Sequence, residues 1–525
     1  MSKRIRYLLW FIVILLLPAG VSGYLLRGRE PMLDNYVSVE RTPSIQPDYT
    51  DTVIPPNIAP LNFTVREKAS RYYAEIYSSA GGKIEIFSET AKIEIPVHKW
   101  KLLLNKNKGQ NLYFDVYAND GAGRWMRFKT ITNTISNEPI DGYLLYRKIN
   151  PSHSSWRGMG IYQRNLENFD ESPILENRFY EGACVNCHTF CNNRPDKMII
   201  GTRSQKYGSS ALLAEDGLAS KIGTKFTYVS WHPTGRLVAY SINSVKQFFY
   251  MAQSEVRGVI DTDSMLAYYD IGSKTVKTAP QFSKKERLET YPSWSPDGRY
   301  LYFSSAPILW TDRTEIPPKR YNQVKYDLMR LSYDVNSARW GELETVLSAG
   351  DTGLSVLEPR ISPDGRWLLF CMCNFGCFPV YHDTSDLYLI DLQAAEKTGR
   401  FEYRQLDINS TQSESWHSWS SNSRWIVFSS KRDYGVFTRS YFSYVDKEGK
   451  AYKPFVLPQK DPTFYDYYLK TFSVPELITS PMQIRQEQWA RLIRSPQATP
   501  VEMPVTMATP KAGAFQPSEP WQQRE

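Results

Sequence analysis

Four segments of this chain align with one another: "WHPTGRLVAYS" from Trp231, "WSPDGRYLYFS" from Trp294, "ISPDGRWLLFC" from Ile361 and "WSSNSRWIVFS" from Trp419. Self-similarity of this kind constrains a fold more than any other sequence feature, because each unit must bury its apolar face against a neighbouring copy. The first three segments carry Pro and Gly two residues apart. In S-P-D-G, Pro presets φ at the first central position and Gly suits the last, the signature of a type I turn. An alternating strand follows each turn, and an outer strand comes later: "LAYYDI", "DLMRLSYD", "DLYLIDL" and "RSYFSYVD". Strand, turn, strand and a second hairpin make one propeller blade.

Two weaker units, "YLLYRKI…MGIYQRNLENF" and "MIIGTRSQKYGSSALLAEDG", precede the four. The fold class expected is all-β: a six-bladed β-propeller over 140–480, with seven blades also compatible and inner strands beginning near Arg236, Arg299, Arg366 and Arg424. A β-solenoid would need a shorter and stricter period. Because the fourth segment lacks both Pro and Gly, Gly365→Val is expected to disturb the fold more than Ser423→Val.

The flanking regions differ in pattern. Residues 61–139 alternate apolar and polar positions in short runs such as "KIEIFS" and "NLYFDVYAND", broken by turn residues, which predicts a small antiparallel β-sandwich. Residues 27–60 are polar and Pro-rich and read as a tether. Residues 481–525, rich in Pro, Gln and Thr toward the end, read as a largely disordered tail. The chain opens "MSKRIRYLLWFIVILLLPAGVSGYLL", a basic start followed by an apolar run. Residues 1–26 therefore read as an export signal, compatible with cleavage after Gly23 or with retention as an anchor of about 20 residues. Either form places the remainder in the periplasm, membrane-associated through the N-terminus or released. The 63 Lys and Arg are interspersed with 55 Asp and Glu, with no basic block of the kind that nucleic-acid binding needs.

One stretch bears chemistry. Residues 184–191 read "CVNCHTFC", and the whole chain holds only six Cys and six His. C-x-x-C-H is the attachment sequence of c-type haem: Cys184 and Cys187 would form thioether bonds to one haem, and His188 would be an axial ligand to iron. On a helical turn, thiols three residues apart project from one side. Met198 is the nearest candidate for the sixth ligand, with His153, Met159 and His232 as alternatives. Two other chemistries use the same residues: a zinc site of Cys184, Cys187, Cys191 and His188, and a Cys184–Cys187 disulfide. The remaining cysteines lie in "FCMCNFGCFPVYH", where Cys373 and Cys377 flank a short turn compatible with a disulfide. A metal site of Cys191, Cys371, Cys373 and Cys377 is the alternative. No G-x-S-x-G elbow, H-E-x-x-H helix or P-loop occurs.

The "SPDGR" turns with their aromatic-rich strands resemble the blades of the TolB-like periplasmic β-propeller family. The layout of export segment, β-domain, "CVNCHTF" and blades resembles a subgroup that carries a c-type haem motif ahead of its blades. That resemblance implies one covalent haem c and a role in electron transfer or redox sensing, with an envelope or redox partner met through the propeller surface. It also implies an alternative, a protein-interaction scaffold of the cell envelope with structural haem or none.

Overall fold

The structure is a computed structural model that describes residues 36–151, 158–182, 184–251, 255–312 and 314–502. Residues 1–26, read above as an export signal, and His153 lie outside the described residues. Among those described, no helix is long and apolar enough to cross a membrane.

Six antiparallel sheets of four strands each form the propeller. Blade 2 comprises Cys184–Cys191, Arg194–Ser204, Gly208–Glu215 and Leu218–Ile222; blade 3 comprises Thr227–Trp231, Leu237–Phe249, Arg257–Asp270 and Thr275–Lys277. Blade 4 runs through Arg287–Trp294, Tyr300–Pro307, Asp327–Asp334 and Arg339–Leu347. Blade 5 runs through Ser355–Ile361, Trp367–Cys373, Asp386–Asp391 and Tyr403–Gln405, and blade 6 through Glu414–Trp419, Trp425–Ser430, Arg439–Tyr444 and Phe455–Val456. Blade 1 closes the ring. Its three outer strands, Tyr143–Ile149, Gly160–Asn165 and Glu171–Glu176, come from the start of the propeller, while its innermost strand, Thr471–Ile478, comes from the end. Twelve backbone positions of the two chain ends are thus tied into one ladder, which removes the open edge a propeller would otherwise leave.

The repeat segments behave as read, with one correction. The strands that begin after Arg236, Arg299, Arg366 and Arg424 exist, but each is the second strand of its blade. The innermost strand precedes the turn, as in Arg287–Trp294 before the turn at Ser295 to Gly298. In that turn Gly298 N–H donates to Ser295 O at 2.9 Å, and Gly298 takes φ +72°. Ser423 occupies the same position in blade 6 and also takes a positive φ, +61°. Both positions are left-handed, but Ser423 already carries that strain and Gly365 does not, so Gly365→Val still adds more strain than Ser423→Val.

The β-domain packs a seven-stranded sheet with a three-stranded sheet and the helix Val97–Lys106, whose Trp100 is buried and donates from Nε1 to Ile58 O at 2.9 Å. The tether reading of 27–60 is overturned over residues 36–60. This segment supplies the strands Tyr36–Val39, Ile45–Gln46 and Val53–Ile54 and buries Tyr49, Ile54 and Ile58. Its apolar residues alternate with prolines, and burial against a partner, not propensity, gives them structure. One continuous core joins this domain to blades 1, 5 and 6. Polar contacts fix the seam: Trp425 Nε1 donates to Glu138 O at 3.1 Å, and Asn62 Nδ2 to Lys460 O at 2.8 Å. The tail reading is likewise corrected over 481–502. The helix Gln486–Arg494 buries Trp489 and Ile493 against blades 1 and 2.

Candidate functional site on the propeller axis

The stretch "CVNCHTFC" is neither a helical turn nor an insert ahead of the blades. It is the innermost strand of blade 2. Every innermost strand interrupts its register at one residue with positive φ: Cys187 in blade 2, then Tyr228, Tyr291, Glu358, Trp416 and Val474. These bulges form a ring around the axis. On one side of it the tetrapeptides Cys187-His188-Thr189-Phe190, Tyr228-Val229-Ser230-Trp231, Tyr291-Pro292-Ser293-Trp294 and Trp416-His417-Ser418-Trp419 are equivalent. This equivalence is legible in the letters themselves, since "CHTF" matches "WHSW", but the turn motif drew the alignment one strand too late.

A cavity of about 410 Å³ lies on the axis, lined from the bulge ring to the turns by residues of all six innermost strands. Tyr228, Tyr291 and Trp416 meet across the ring, with ring centroids 4.5 Å apart for the tyrosine pair and 6.0 Å apart for Tyr228 and Trp416. Cys187 and His188 line the cavity; Cys184 does not.

The motif residues are close together. In a flat strand Cys184 and Cys187 would face opposite sides. The bulge reverses that alternation, since Asn186 pairs with Gly201 and His188 with Ile200, which leaves Cys187 as the extra residue. Arg203 Nη2 lies 3.5 Å from Cys184 Sγ, and its charge also acts on Cys187. Cys187 is buried and Cys184 half-buried, and burial pushes the Cys187 thiol up. His188 is 4% exposed. Burial, with Arg147 adding to it, holds its imidazole down at about 3, so the ring is neutral. Its Nε2 is buried and has no hydrogen-bond partner. A buried imidazole nitrogen normally has one, and a neutral unpartnered nitrogen is the form that ligates a metal. The free imidazole lone pair suits an iron ligand, and Cys187 shares the cavity wall with His188, whereas Cys184 lies outside that wall.

The other sequence candidates fall elsewhere. Met198 pairs with Phe190 across blade 2 and is fully buried in the core between blades 1 and 2, as is Met159. His232 is a turn residue: Nδ1 meets Thr234 Oγ1 at 2.8 Å and Nε2 meets Gly298 O at 3.2 Å, so both nitrogens are occupied. Cys191 sits in the core between blades 2 and 3. All six cysteines are free thiols, so the Cys373–Cys377 disulfide is not formed. Cys373 Sγ is instead directed to Phe375 O at 3.4 Å, and Cys377 interacts with Tyr326. The four-cysteine site is not assembled either, because Cys191 and Cys371 belong to separate cores.

Sequence reasoning missed a second cluster on the same axis. Glu358 and His417 line the cavity, and Cys371 lies directly behind them. Glu476, a half-buried wall residue, accepts hydrogen bonds from Thr189 Oγ1 at 3.0 Å and Phe190 N at 2.9 Å. Burial raises both carboxyls, Glu358 and Glu476, to about 7. The positive charge of Arg360 acts on both and partly offsets that rise.

No protein-family model matches this chain, and no curated protein matches it. Solved structures similar to it include puromycin hydrolase, at 14% identity and a TM-score of 0.34 over 60% of this chain and 45% of that one. The β-propeller domain of the Trilobed protease from Pyrococcus furiosus matches at 12% identity and a TM-score of 0.30, over 64% of this chain and 80% of that one. Oligogalacturonate lyase from Vibrio parahaemolyticus matches at 12% identity and 0.30, over 56% and 85%. The chain thus spans less than half the length of puromycin hydrolase. At these TM-scores the likeness carries no argument, and the propeller rests on the strand order alone.

Proposed function

We propose that this chain is an exported, envelope-associated β-propeller that carries one haem c and acts in electron transfer or redox sensing. The observation that carries the reading is the buried, unpartnered Nε2 of His188 on the axis wall, next to the bulged Cys187. Cys184, Cys187 and His188 are the residues that would hold the group, the thiols its porphyrin and the imidazole its iron; a haem so held would supply one-electron redox chemistry. The chain's own part is positional. The Val474 carbonyl bonds the His188 ring and orients it, Arg203 stands beside the thiols, and Arg147 helps keep the imidazole neutral. The TolB-like layout and the basic, apolar start of the chain support an envelope location. A second reading is favoured by the axial cavity itself: a TolB-like scaffold that binds a partner or ligand at the channel.

The test is an absorption spectrum, oxidised and reduced, of the full chain produced with a haem-ligation system. A reversible haem spectrum, lost in the Cys184→Ala/Cys187→Ala double variant, perturbed in His188→Ala and intact in Cys191→Ala, supports electron transfer. Haem that cannot be reduced and reoxidised leaves the scaffold reading. A chain with no covalent haem refutes the assignment. Fusion of residues 1–60 to a reporter active only outside the cytoplasm checks export separately; cytoplasmic activity would remove the haem reading too.

A further inference from the structure

Three positions recur at each junction between blades: the bulge residue, the second-strand residue paired beside it, and the residue after the bulge in the next blade. At the junction of blades 4 and 5 they are Tyr291, Ser304 and Pro359, and at blades 3 and 4 Tyr228, Ser241 and Pro292. At blades 5 and 6 they are Glu358, Cys371 and His417. There, carboxylate, thiol and imidazole atoms all lie within 4.8 Å of one another, and all three residues are buried.

The hydrogen bonding of this cluster does not close. Cys371 Sγ lies 3.6 Å from Glu358 Oε2, 3.6 Å from Glu414 O and 3.5 Å from His417 Nδ1. A thiol has one proton for these three acceptors. His417 Nε2 meets Leu369 O at 3.1 Å. A carbonyl only accepts, so Nε2 carries the proton and Nδ1 presents its lone pair to the cluster, the tautomer that a backbone partner imposes on a metal-binding histidine. Glu358 Oε2 accepts from Trp416 N at 2.6 Å, whereas Oε1 is buried with no partner. With Glu358 ionised, the group missing from the centre is therefore an electron-pair acceptor, not another hydrogen-bond acceptor.

We propose that Glu358, Cys371 and His417 form a three-ligand site for a divalent transition-metal ion, zinc by its donor set, with the fourth position open to the axial cavity. Sulfur, nitrogen and oxygen donors in this number suit zinc, and three protein ligands leave one coordination place free. Charge balances: a thiolate and a carboxylate neutralise a divalent ion, and the positive charge of Arg360, which acts on Glu358 and His417, acts on Glu476 as well. Binding releases the Cys371 proton, and that of Glu358 where it is protonated. The site is separate from Cys184, Cys187 and His188 and does not depend on the haem reading.

The experiment is zinc titration of the chelator-stripped full chain, with bound metal measured by elemental analysis after desalting and by zinc-edge X-ray absorption. One zinc per chain is expected, with one sulfur neighbour at about 2.3 Å. Cys371→Ser and His417→Gln are each expected to weaken binding by about 100-fold or more, while Cys187→Ser leaves it unchanged. Serine stands at the position of Cys371 in three sister blades, so that variant is expected to fold; thermal unfolding of each variant checks this. No tight zinc in the parent chain overturns the proposal. So does zinc retained in both Cys371→Ser and His417→Gln, or zinc lost only with Cys187→Ser.

Discussion

Two buried carboxyls, one of them on the axis, make an instructive pair. Asp261, in the third strand of blade 3, and Glu358, on the bulge of blade 5, are both raised to about 7, and burial is the leading cause for each. Their partners differ. Asp261 accepts from Ser244 N at 3.1 Å and from Asn243 Nδ2, and Asn243 in turn receives Ser241 Oγ at 2.6 Å. Each of its oxygens has a donor, so the network is complete without another group. Glu358 has Oε2 shared by Trp416 N and the Cys371 thiol and Oε1 bare, with the imidazole lone pair of His417 in the same cluster. Equal burial thus perturbs both carboxyls alike; what separates a closed structural network from a cation site is whether lone pairs remain unspent.

The largest effect that sharpens this comparison is on pH dependence. In the folded chain Asp261 keeps its proton up to about pH 7, whereas the unfolded carboxyl ionises near 3.8. Between these values the folded state holds one more proton, so stability falls as pH rises through the window. Asp261→Asn is expected to remove roughly 4 kcal/mol or less of that fall, read as the difference in urea midpoint between pH 4 and pH 7. An unchanged difference would show that Asp261 is already ionised by its donors.

The next effect concerns the turns that set blade against blade. A Cβ built on Gly298 would sit 2.4 Å from His232 Nε2, and the residue is left-handed at +72°. Gly298→Val is expected to cost roughly 3 kcal/mol in chemical denaturation. A cost near zero would mean that neighbouring turns are not in register contact.

Smaller effects separate the serine junctions from the cysteine junction. Ser304 Oγ donates to Val356 O at 2.9 Å, and Ser304→Ala is expected to cost about 1 kcal/mol. In the metal-free chain, Cys371→Ser restores the sister-blade residue beside Glu414 O and is expected to change stability by less than about 1 kcal/mol. If Cys371→Ser proves the costlier of the two without metal, the thiol is a packing element and not a spare ligand. Smallest is Ser423→Gly. Relief of the left-handed strain, about 1 kcal/mol, is offset by loss of the hydrogen bond that Ser423 Oγ accepts from Asp364 N at 2.9 Å, so a net change within about 0.5 kcal/mol is expected.

By itself the sequence determined the repeated unit. The "SPDGR" turns, the alternating strands and the two weak units ahead of them led to six blades, because turn chemistry and period-2 alternation are local and survive in the letters. It also concentrated three of the six cysteines around His188. Tertiary structure decided the rest. Which strand of each blade faces the axis depends on how the sheets close into a ring, and the closure joins Tyr143–Ile149 to Thr471–Ile478 across more than 300 residues of sequence. The folding of 36–60 and of the helix Gln486–Arg494 depends on partners those segments meet only in the assembled molecule. Glu358, Cys371 and His417 lie in different strands, with no shared motif. A bulge in each innermost strand turns one residue per blade toward its neighbour, and that long-range geometry, not any local pattern, brings the three together.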